Sequence, residues 1–412
     1  MSEFRSHAVI PVPISFAACH AAWLKARRGK RPSANQLRFD AHWLDNLLAL
    51  HDSLRSGQWQ PARTVSFVVQ HPKVREIHAP AFADRIVHHL LVARLEKFYE
   101  PIFIHDSYAN RQGKGSHAAV DRLQQFMRQR NDKKGQGWFL QLDIHNYFNT
   151  IHRPTLYAML CKRLEQMQQR HVLPASHALA LRSLCHKILT EKVTENVRDP
   201  HAAAQLPPHK RLANAAKNCG LPVGNLTSQF FANVYLNELD QFVKHQLKAK
   251  HYVRYVDDFV LLSDDKAQLE IWKLQIAAFL EQTLQLSLKA DARLSLLSEG
   301  VDFLGYVVFA HHRLVRQRVV QHCKEKLAQW QHECNCKNRV GHKDFAKLQA
   351  LVGSYWGHFE HADSVRLRHG LFARYGWLSE YFGLKNDGGL KVCMPARWVV
   401  RRYKTFSKSS FE

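Results

Sequence analysis

A chain of 412 residues, 46% of them hydrophobic, is long enough to bury a large core and to divide into two or three subdomains, which excludes a disordered tail. Its 59 lysines and arginines against 35 acidic residues give a formal charge of +24 before any of the 27 histidines is protonated, and predict a polyanionic partner. No apolar run approaches the roughly 20 residues that span a bilayer, and the opening segment returns to charge too early for a signal peptide, so the expectation is a cytoplasmic protein without a membrane partner.

The positive charge is spread along the chain, which favours an extended basic channel for nucleic acid over a single basic tail. The eight cysteines are scattered, as expected for reduced, buried thiols. Cys323, Cys334 and Cys336 lie near His322, His332 and His342, but without a paired CxxC the spacing argues against zinc.

In chain order, Trp23 opens a basic cluster, Arg27, Arg28, Lys30 and Arg31, which reads equally as a phosphate contact or a solvated loop. Leu37, Trp43, Leu44, Leu47, Leu48 and Leu54 follow at helical spacing. Strands through Ser66 to Val69 and Val74 to Ile77 flank a turn at His71 and Pro72, and a helix begins near Ala81. Alternation puts Lys73 and Arg75 on one side of a strand, where two cations either grip a triphosphate or face water. SYANRQGKGSH, from Ser107, is a polar loop leading into a helix and lacks the P-loop spacing. Its Gly113 and Gly115 permit close backbone approach and its Arg111 and Lys114 supply charge for a template strand; a plain helix-entry loop is the alternative.

WFLQLDIHNYF, from Trp138, alternates as a strand with Asp143 near its end, where a carboxylate needs a partner; a ligand role is favoured over a helix cap. Pro154 to Lys192 is helical, and the proline-rich Val193 to Asn218 reads as a surface insertion. CGLPVGNLTSQ then passes into a long helix striped by Phe230, Val234, Leu236 and Leu239, with Thr227 as its cap and Gly224 free to approach a ligand. HYVRYVDDFVLLSD, from His251, predicts a β-hairpin with Asp257 and Asp258 at its tip. Two adjacent carboxylates between apolar strands repel each other and are costly to desolvate, so they call for a divalent cation. A helix and a strand through QLSLKADA come next, then VDFLGYVVF as one strand with Gly305 in its interior. From Arg313 the chain is helical and basic, and its Trp356, Phe359, Tyr375, Trp377 and Tyr381 fit a core better than a duplex-lining surface beside Arg366, Arg368 and Arg374.

Taken in this order, the strand with Asp143, the glycine loop and helix from Gly220, the YVDD hairpin and the FLGY segment resemble the palm of a reverse transcriptase. The resemblance runs from about Trp23 to Gly383. It implies an α+β right-hand polymerase fold with fingers, a palm built on an antiparallel sheet with the YVDD hairpin, and a helical thumb. The expected limits are an N-terminal helical extension over 1–60, fingers over 61–135, palm over 136–310 with a fingers insertion at about 154–218, and a basic thumb and tail over 311–412.

The implied activity is RNA-directed DNA polymerisation, in which two Mg²⁺ ions, or Mn²⁺ in their place, activate the primer 3′ hydroxyl and stabilise the pyrophosphate. By the same match Asp143 and Asp257 hold the metals with help from the Ile144 carbonyl, and Asp258 is the supporting third acid. Phe148 is implied as the steric gate that selects dNTPs; Lys73, Arg75, Val223, Gly224 and Gln229 surround the incoming nucleotide. Arg111 and Lys114 face the template, and Leu304, Gly305 and Tyr306 form the primer grip. Relatives often carry a lysine general acid where Arg293 stands here, so either Lys289 takes that role or the role is absent.

Val223 and Gln229 stand where many relatives have Gln and Pro. With HPKVREIHAPAFADRIVHH, SYANRQGKGSH and GHFEHADSVRLR, they make the chain similar to the enzymes of diversity-generating retroelements, relatives of group II intron and retron enzymes, which miscopy template adenines. That implies a bacterial or phage-encoded enzyme with a structured template RNA, an RNA/DNA duplex product and a small basic accessory protein. Two other readings are a stand-alone bacterial antiphage reverse transcriptase, for which the insertion and basic tail are special adaptations, and an idle RNA-binding protein of polymerase fold.

Overall fold

The structure, a computed structural model, describes residues 10–29, 31–70, 74–131, 137–193, 197–198, 203–204, 206–337 and 341–392. Lys30, Lys73, the His71–Pro72 turn and the tail from residue 393 lie outside them, as does the side chain of Cys336. The described residues fold into two compact units, those within 1–115, 140–261 and 266–293, and those within 116–139, 262–265 and 294–392.

In the first unit α1 (Phe16–Arg27) and α2 (Ala34–Ala41) begin at Ser15 and Ser33, whose hydroxyls accept from the backbone N–H groups of Ala18 and Gln36. Helix α3 (Trp43–Arg55) follows. Strands β1 (Val65–Val69) and β2 (Arg75–Ala79) pair antiparallel from Val65 opposite Ala79 to Val69 opposite Arg75. Helix α4 (Phe82–Tyr99) buries Ile86, Val87, Leu90, Leu91 and Leu95. Helix α5 (Ser116–Asn131) belongs to the second unit.

Strand β3 (Trp138–Asp143) is followed by the single turn α6 (Tyr147–Thr150) and by α7 (Arg153–Gln169) and α8 (Ala175–Thr190), as the periodicity predicts. The insertion after α8 is less superficial than expected. Leu206 is buried, the Leu212 N–H donates to Glu76 of β2 at 2.8 Å, and the His209 carbonyl accepts from Asn146. Helix α9 (Leu226–Gln241) starts at Asn225, not Thr227. Thr227 is fully buried and its hydroxyl meets the His88 Nδ1 of α4 at 2.8 Å, so it joins two helices instead of capping one. Because α9 packs on both α4 and α7, it buries residues all around its circumference.

Strands β4 (Tyr252–Tyr255) and β5 (Asp258–Ser263) pair antiparallel, and the sheet order is β4-β5-β3-β6, with β6 spanning Arg293–Leu296. Helix α10 (Lys266–Leu284) precedes β6. The strand predicted through QLSLKADA is an isolated bridge, Ile144 opposite Leu288, and regular pairing starts only at Arg293.

In the second unit VDFLGYVVF is a hairpin, not one strand: β7 (Val301–Phe303) turns at Leu304 and Gly305 into β8 (Tyr306–Val308), which pairs with β9 (Arg313–Val315). Leu304 and Gly305 have φ of 51° and 94°, the pattern of a two-residue hairpin turn. Helices α11 (Gln317–Lys337), α12 (His342–Phe359) and α13 (Val365–Arg374) enclose a core of Leu327, Trp330, Leu348, Trp356, Phe359 and Leu371. Trp356, Phe359, Tyr375 and Tyr381 are buried there, and Trp377 stacks on Trp330 at 4.8 Å. These aromatics are core; Arg366 and Arg374 remain exposed and Arg368 is buried.

Candidate active site

Apolar alternation makes β3, β4 and β5 strands, and the residues that break the alternation form the site. Gln141 and Asp143 point to one face of β3. The Gln141 amide donates to Asp258 at 3.1 Å, which fixes the first residue of β5 against β3. Asp143 forms an ion pair through Oδ2 with the Lys289 ammonium, and the Lys289 backbone N–H donates to the Asp143 carbonyl at 2.8 Å. Its Oδ1 is buried and has no hydrogen-bond partner.

Asp257 sits in the two-residue turn between β4 and β5, whose last pair is Tyr255 opposite Asp258. Burial, then the charge of Asp143, push its carboxyl up to about 6, partly offset by its own backbone N–H and by Lys289 and Arg75. Burial pulls the Lys289 ammonium down, but Asp143 and Asp257 outweigh it and hold the pKa above the ordinary lysine value. Four groups, Asp143, Asp257, Lys289 and Arg75, thus share one electrostatic field.

An unsatisfied buried carboxylate oxygen beside a second carboxylate whose charge is disfavoured by burial and by its neighbour is an arrangement a cation would relieve. Among the described residues no three His, Cys, Asp or Glu side chains form a ready-made metal cage. That suits Mg²⁺, which binds through one or two carboxylates and takes its remaining oxygens from water and substrate phosphates. Asp143 and Asp257 fit that role, with Asp258 turned toward Gln141.

The tip itself is strained. Val256 has φ +56°, a left-handed conformation that costs a β-branched residue roughly 1–3 kcal/mol. Its carbonyl accepts from Arg254 Nη1 at 2.9 Å. Arg254 is fully buried and gives Asp240, at the end of α9, two bonds of 2.7 and 2.5 Å; Asp240 also accepts from Tyr252 at 2.8 Å. Sequence reading missed this pair, although an arginine placed inward by strand alternation next to YVDD, and an aspartate within the apolar run of α9, were signals that each needed a partner.

Val223 and Gly224, expected beside the incoming nucleotide, lie against β2. The Val223 carbonyl accepts from the His78 N–H at 2.7 Å, and Gly224 has φ +120° with His78 O 2.8 Å from where a Cβ would lie. The approach of the β2 backbone therefore requires glycine at 224. Phe148 is half-buried in α6, and its carbonyl accepts from the Leu221 N–H at 2.8 Å, which ties the loop to the β3 end of the site. Gln229 lies half-buried in the first turns of α9, and Ile144 is fully buried.

Arg111, expected on the template side, is held within its own loop. Its guanidinium is nearly buried and bonds to Glu100 and to the Ile104 and Ser107 carbonyls, so it locks its own loop. Lys114 donates to the His105 carbonyl at 3.0 Å and lies over the Tyr108 ring. In the second unit, Tyr306 donates to the His358 carbonyl at 2.9 Å, and Gly305 lies against the same histidine.

The family model described as reverse transcriptase (RNA-dependent DNA polymerase) matches residues 69–308, more than half of the chain. The chain belongs to the reverse transcriptase family. That membership carries the right-hand polymerase fold and the enzymatic class, RNA-directed DNA polymerase, whose members generally depend on divalent metal. Protein YkfC of Escherichia coli is 25% identical over 319 residues, 69% of this chain and 75% of YkfC. The group II intron-encoded protein LtrA of Lactococcus lactis is 27% identical over 201 residues, 48% of this chain and 28% of LtrA. Among solved structures, telomerase from Candida albicans, in complex with a fragment of telomeric RNA, is similar at 12% identity and a TM-score of 0.42, over 79% of this chain and 57% of that one. This reverse transcriptase thus spans little more than a quarter of the intron protein and just over half of the telomerase chain. No described helix is long and apolar enough to cross a membrane.

Proposed function

We propose that this reverse transcriptase adds dNTPs to a primer 3′ end on a structured RNA template, using Asp143 and Asp257 to hold two Mg²⁺ ions. The observation that carries the reading is the pairing of Asp143, with its unsatisfied Oδ1, and Asp257, whose carboxyl is pushed up to about 6 beside it. When bound, the metals lower the pKa of the primer hydroxyl and neutralise the leaving pyrophosphate. Asp258 supports the geometry from β5. Arg75, exposed at the start of β2 and felt electrostatically by Asp257, orients the triphosphate, with Lys73 as its expected partner. Lys289, paired with Asp143 and held above the ordinary lysine pKa by Asp143 and Asp257, is the residue to which the reading gives the role of proton donor to the leaving group. Phe148 stands as the gate against a ribose 2′ hydroxyl. Leu304, Gly305 and Tyr306 serve the primer, and Lys114 the template.

Primer extension on RNA and DNA templates with Mg²⁺ and dNTPs tests this. Asp257→Asn is expected to lower synthesis about 10³-fold, as loss of a group that stabilises developing charge does. Equal synthesis by the variant overturns the reading. Phe148→Ala is expected to admit rNTPs while dNTP use persists.

Mutagenic copying in a diversity-generating retroelement is the favoured biology. Its support is aliphatic Val223, held by β2 beside the nucleotide-side loop, where no side-chain hydrogen bond can check the base pair. Product sequencing should then show errors concentrated opposite template adenine; an even error spectrum favours the antiphage role. A small basic accessory protein belongs to the first reading and is testable by co-purification.

A further inference from the structure

The polar side chains buried beneath the catalytic hairpin converge on one guanidinium. Arg254 Nε and Nη2 donate to the two oxygens of Asp240, Nη2 also donates to Ser107 Oγ at 3.0 Å, and Nη1 donates to the Val256 carbonyl. Both partners of the ion pair are essentially inaccessible, with side-chain exposures of 1% and 0%. Asp240 is in turn fixed by Tyr252, and the Arg254 backbone is held from the strand edge by the Asp106 carbonyl and the Tyr108 N–H at 2.9 and 3.0 Å. Burial opposes the charge on Arg254, but Asp240 more than compensates, so the guanidinium stays ionised.

A buried ion pair of this kind is a poor source of net stability, because desolvation consumes most of the attraction. What it supplies is direction. Val256 is held left-handed, a conformation natural to Gly or Asn at a hairpin tip and unfavourable to valine. The next residue, Asp257, faces repulsion from Asp143. A turn under both loads would relax away from Asp143 unless something bound its carbonyl from within the fold, and Arg254 is the group that does.

We infer that Arg254, clamped by Asp240, is a positioning residue for polymerisation that fixes the left-handed Val256 and so aims the Asp257 carboxylate. The inference rests on the reading of Asp257 as a metal-holding carboxylate. It assigns Arg254 no contact with substrate. Its effect therefore falls on kcat and on the Mg²⁺ requirement, and leaves dNTP affinity alone.

The test replaces the pair by apolar side chains of similar reach, Asp240→Leu with Arg254→Met, so that no lone charge is buried. Thermal unfolding in the presence of EDTA reports whether the fold survives; Arg254→Lys, which keeps the charge but not the forked geometry, is the second variant if the double substitution does not fold. The expected result is a folded protein with kcat lowered about 10²-fold, the scale of a 1 Å misplacement of a reacting group. Half-maximal Mg²⁺ should rise about tenfold and KM for dNTP stay within about twofold. Adding Val256→Gly to that background, which removes the cost of the left-handed turn, should restore about tenfold of the lost rate. Wild-type kcat and Mg²⁺ dependence in a folded pair variant, or in Arg254→Lys, would overturn the inference, as would a glycine that rescues nothing. Wild-type protein that makes no product and binds no Mn²⁺ in a spin-resonance titration would overturn the functional reading and the inference with it.

Discussion

The two hairpins that carry polymerase motifs turn in two residues each, yet they are held in different ways. In the YVDD hairpin the left-handed residue is Val256, and a buried arginine grips its carbonyl. In the FLGY hairpin Leu304 and Gly305 are both left-handed, and the ring of His358 fills the space where a Gly305 Cβ would lie, 3.0 Å away. Neither has the Asn-Gly signature that makes such turns from local preference. One is imposed by charge, the other by a glycine and an aromatic contact. Charge fixes a carbonyl direction, which suits a turn that aims a carboxylate; packing fixes only a shape.

Removing one partner from each turn should separate the two mechanisms. Arg254→Ala leaves Asp240 buried and unpaired and is expected to cost about 3–5 kcal/mol in urea unfolding. His358→Ala loses a hydrogen bond to Tyr306 and a stacked ring at 4.3 Å, and is expected to cost about 1–2 kcal/mol. Equal losses would show that the buried pair is no more demanding than ordinary packing.

A second contrast lies in the acid that the first hairpin presents. Asp257 binds its proton more tightly folded than unfolded, since its carboxyl is pushed from 3.8 to about 6. The stability this provides is complete below about pH 4 and lost as pH rises through 6. In EDTA at pH 7.5, Asp257→Asn should therefore be more stable than wild type by about 2 kcal/mol, and indistinguishable near pH 4. A residue that destabilises the free protein while activity depends on it is a mark of function. A variant of unchanged stability at both pH values would remove that argument.

What was legible in the chain follows the same division. The acids at 257 and 258 interrupt an apolar alternation, so both strands and tip can be read locally. Asp143 is visible for the same reason. VDFLGYVVF reads as a continuous strand because its turn is Leu-Gly, and only His358, more than fifty residues later, shows why the chain reverses there. Thr227 looks like a cap because it opens a helical run, and its true partner, His88, is distant in sequence. The loop alone shows that Gly224 is free to approach something; the close approach to His78 of β2 is visible only in the fold. The basic character of its loop suggests Arg111 for a template strand, while its acidic partner, Glu100, at the end of the preceding helix, is visible only in the fold. Such errors share a cause: side-chain donors are visible in a sequence, while their acceptors are chosen by the tertiary fold.

The helical unit around the FLGY hairpin should show its own pH response. Burial, with the nearby His117 and His361, lowers the His358 pKa against the Gly305 carbonyl that raises it. His117 is lowered too, by burial, His361 and Arg313, against Asp121. Both histidines thus take up protons more readily unfolded than folded, so stability is full above the unfolded value of about 6.5 and falls as pH drops below it. His358→Gln, which keeps a side-chain amide near Tyr306, should flatten that fall between pH 7 and 5 by roughly 1 kcal/mol in urea titrations. An unchanged slope would place the sensitivity elsewhere.

The smallest effect concerns the turn residues themselves. Leu304→Asn puts a residue that tolerates the left-handed conformation at the first position of the FLGY turn and should raise stability by about 0.5–1 kcal/mol. Gly305→Ala should lower it by a similar amount, because φ +94° is strained for alanine and its methyl would press on the His358 ring. If the asparagine variant gains nothing, His358 and Tyr306 already overdetermine the turn and local preference there is silent. If Gly305→Ala is repaired by combining it with His358→Ala, the ring contact is the larger of its two costs, which would make the FLGY hairpin a turn held by packing alone and leave the charged clamp as the distinguishing property of the YVDD one.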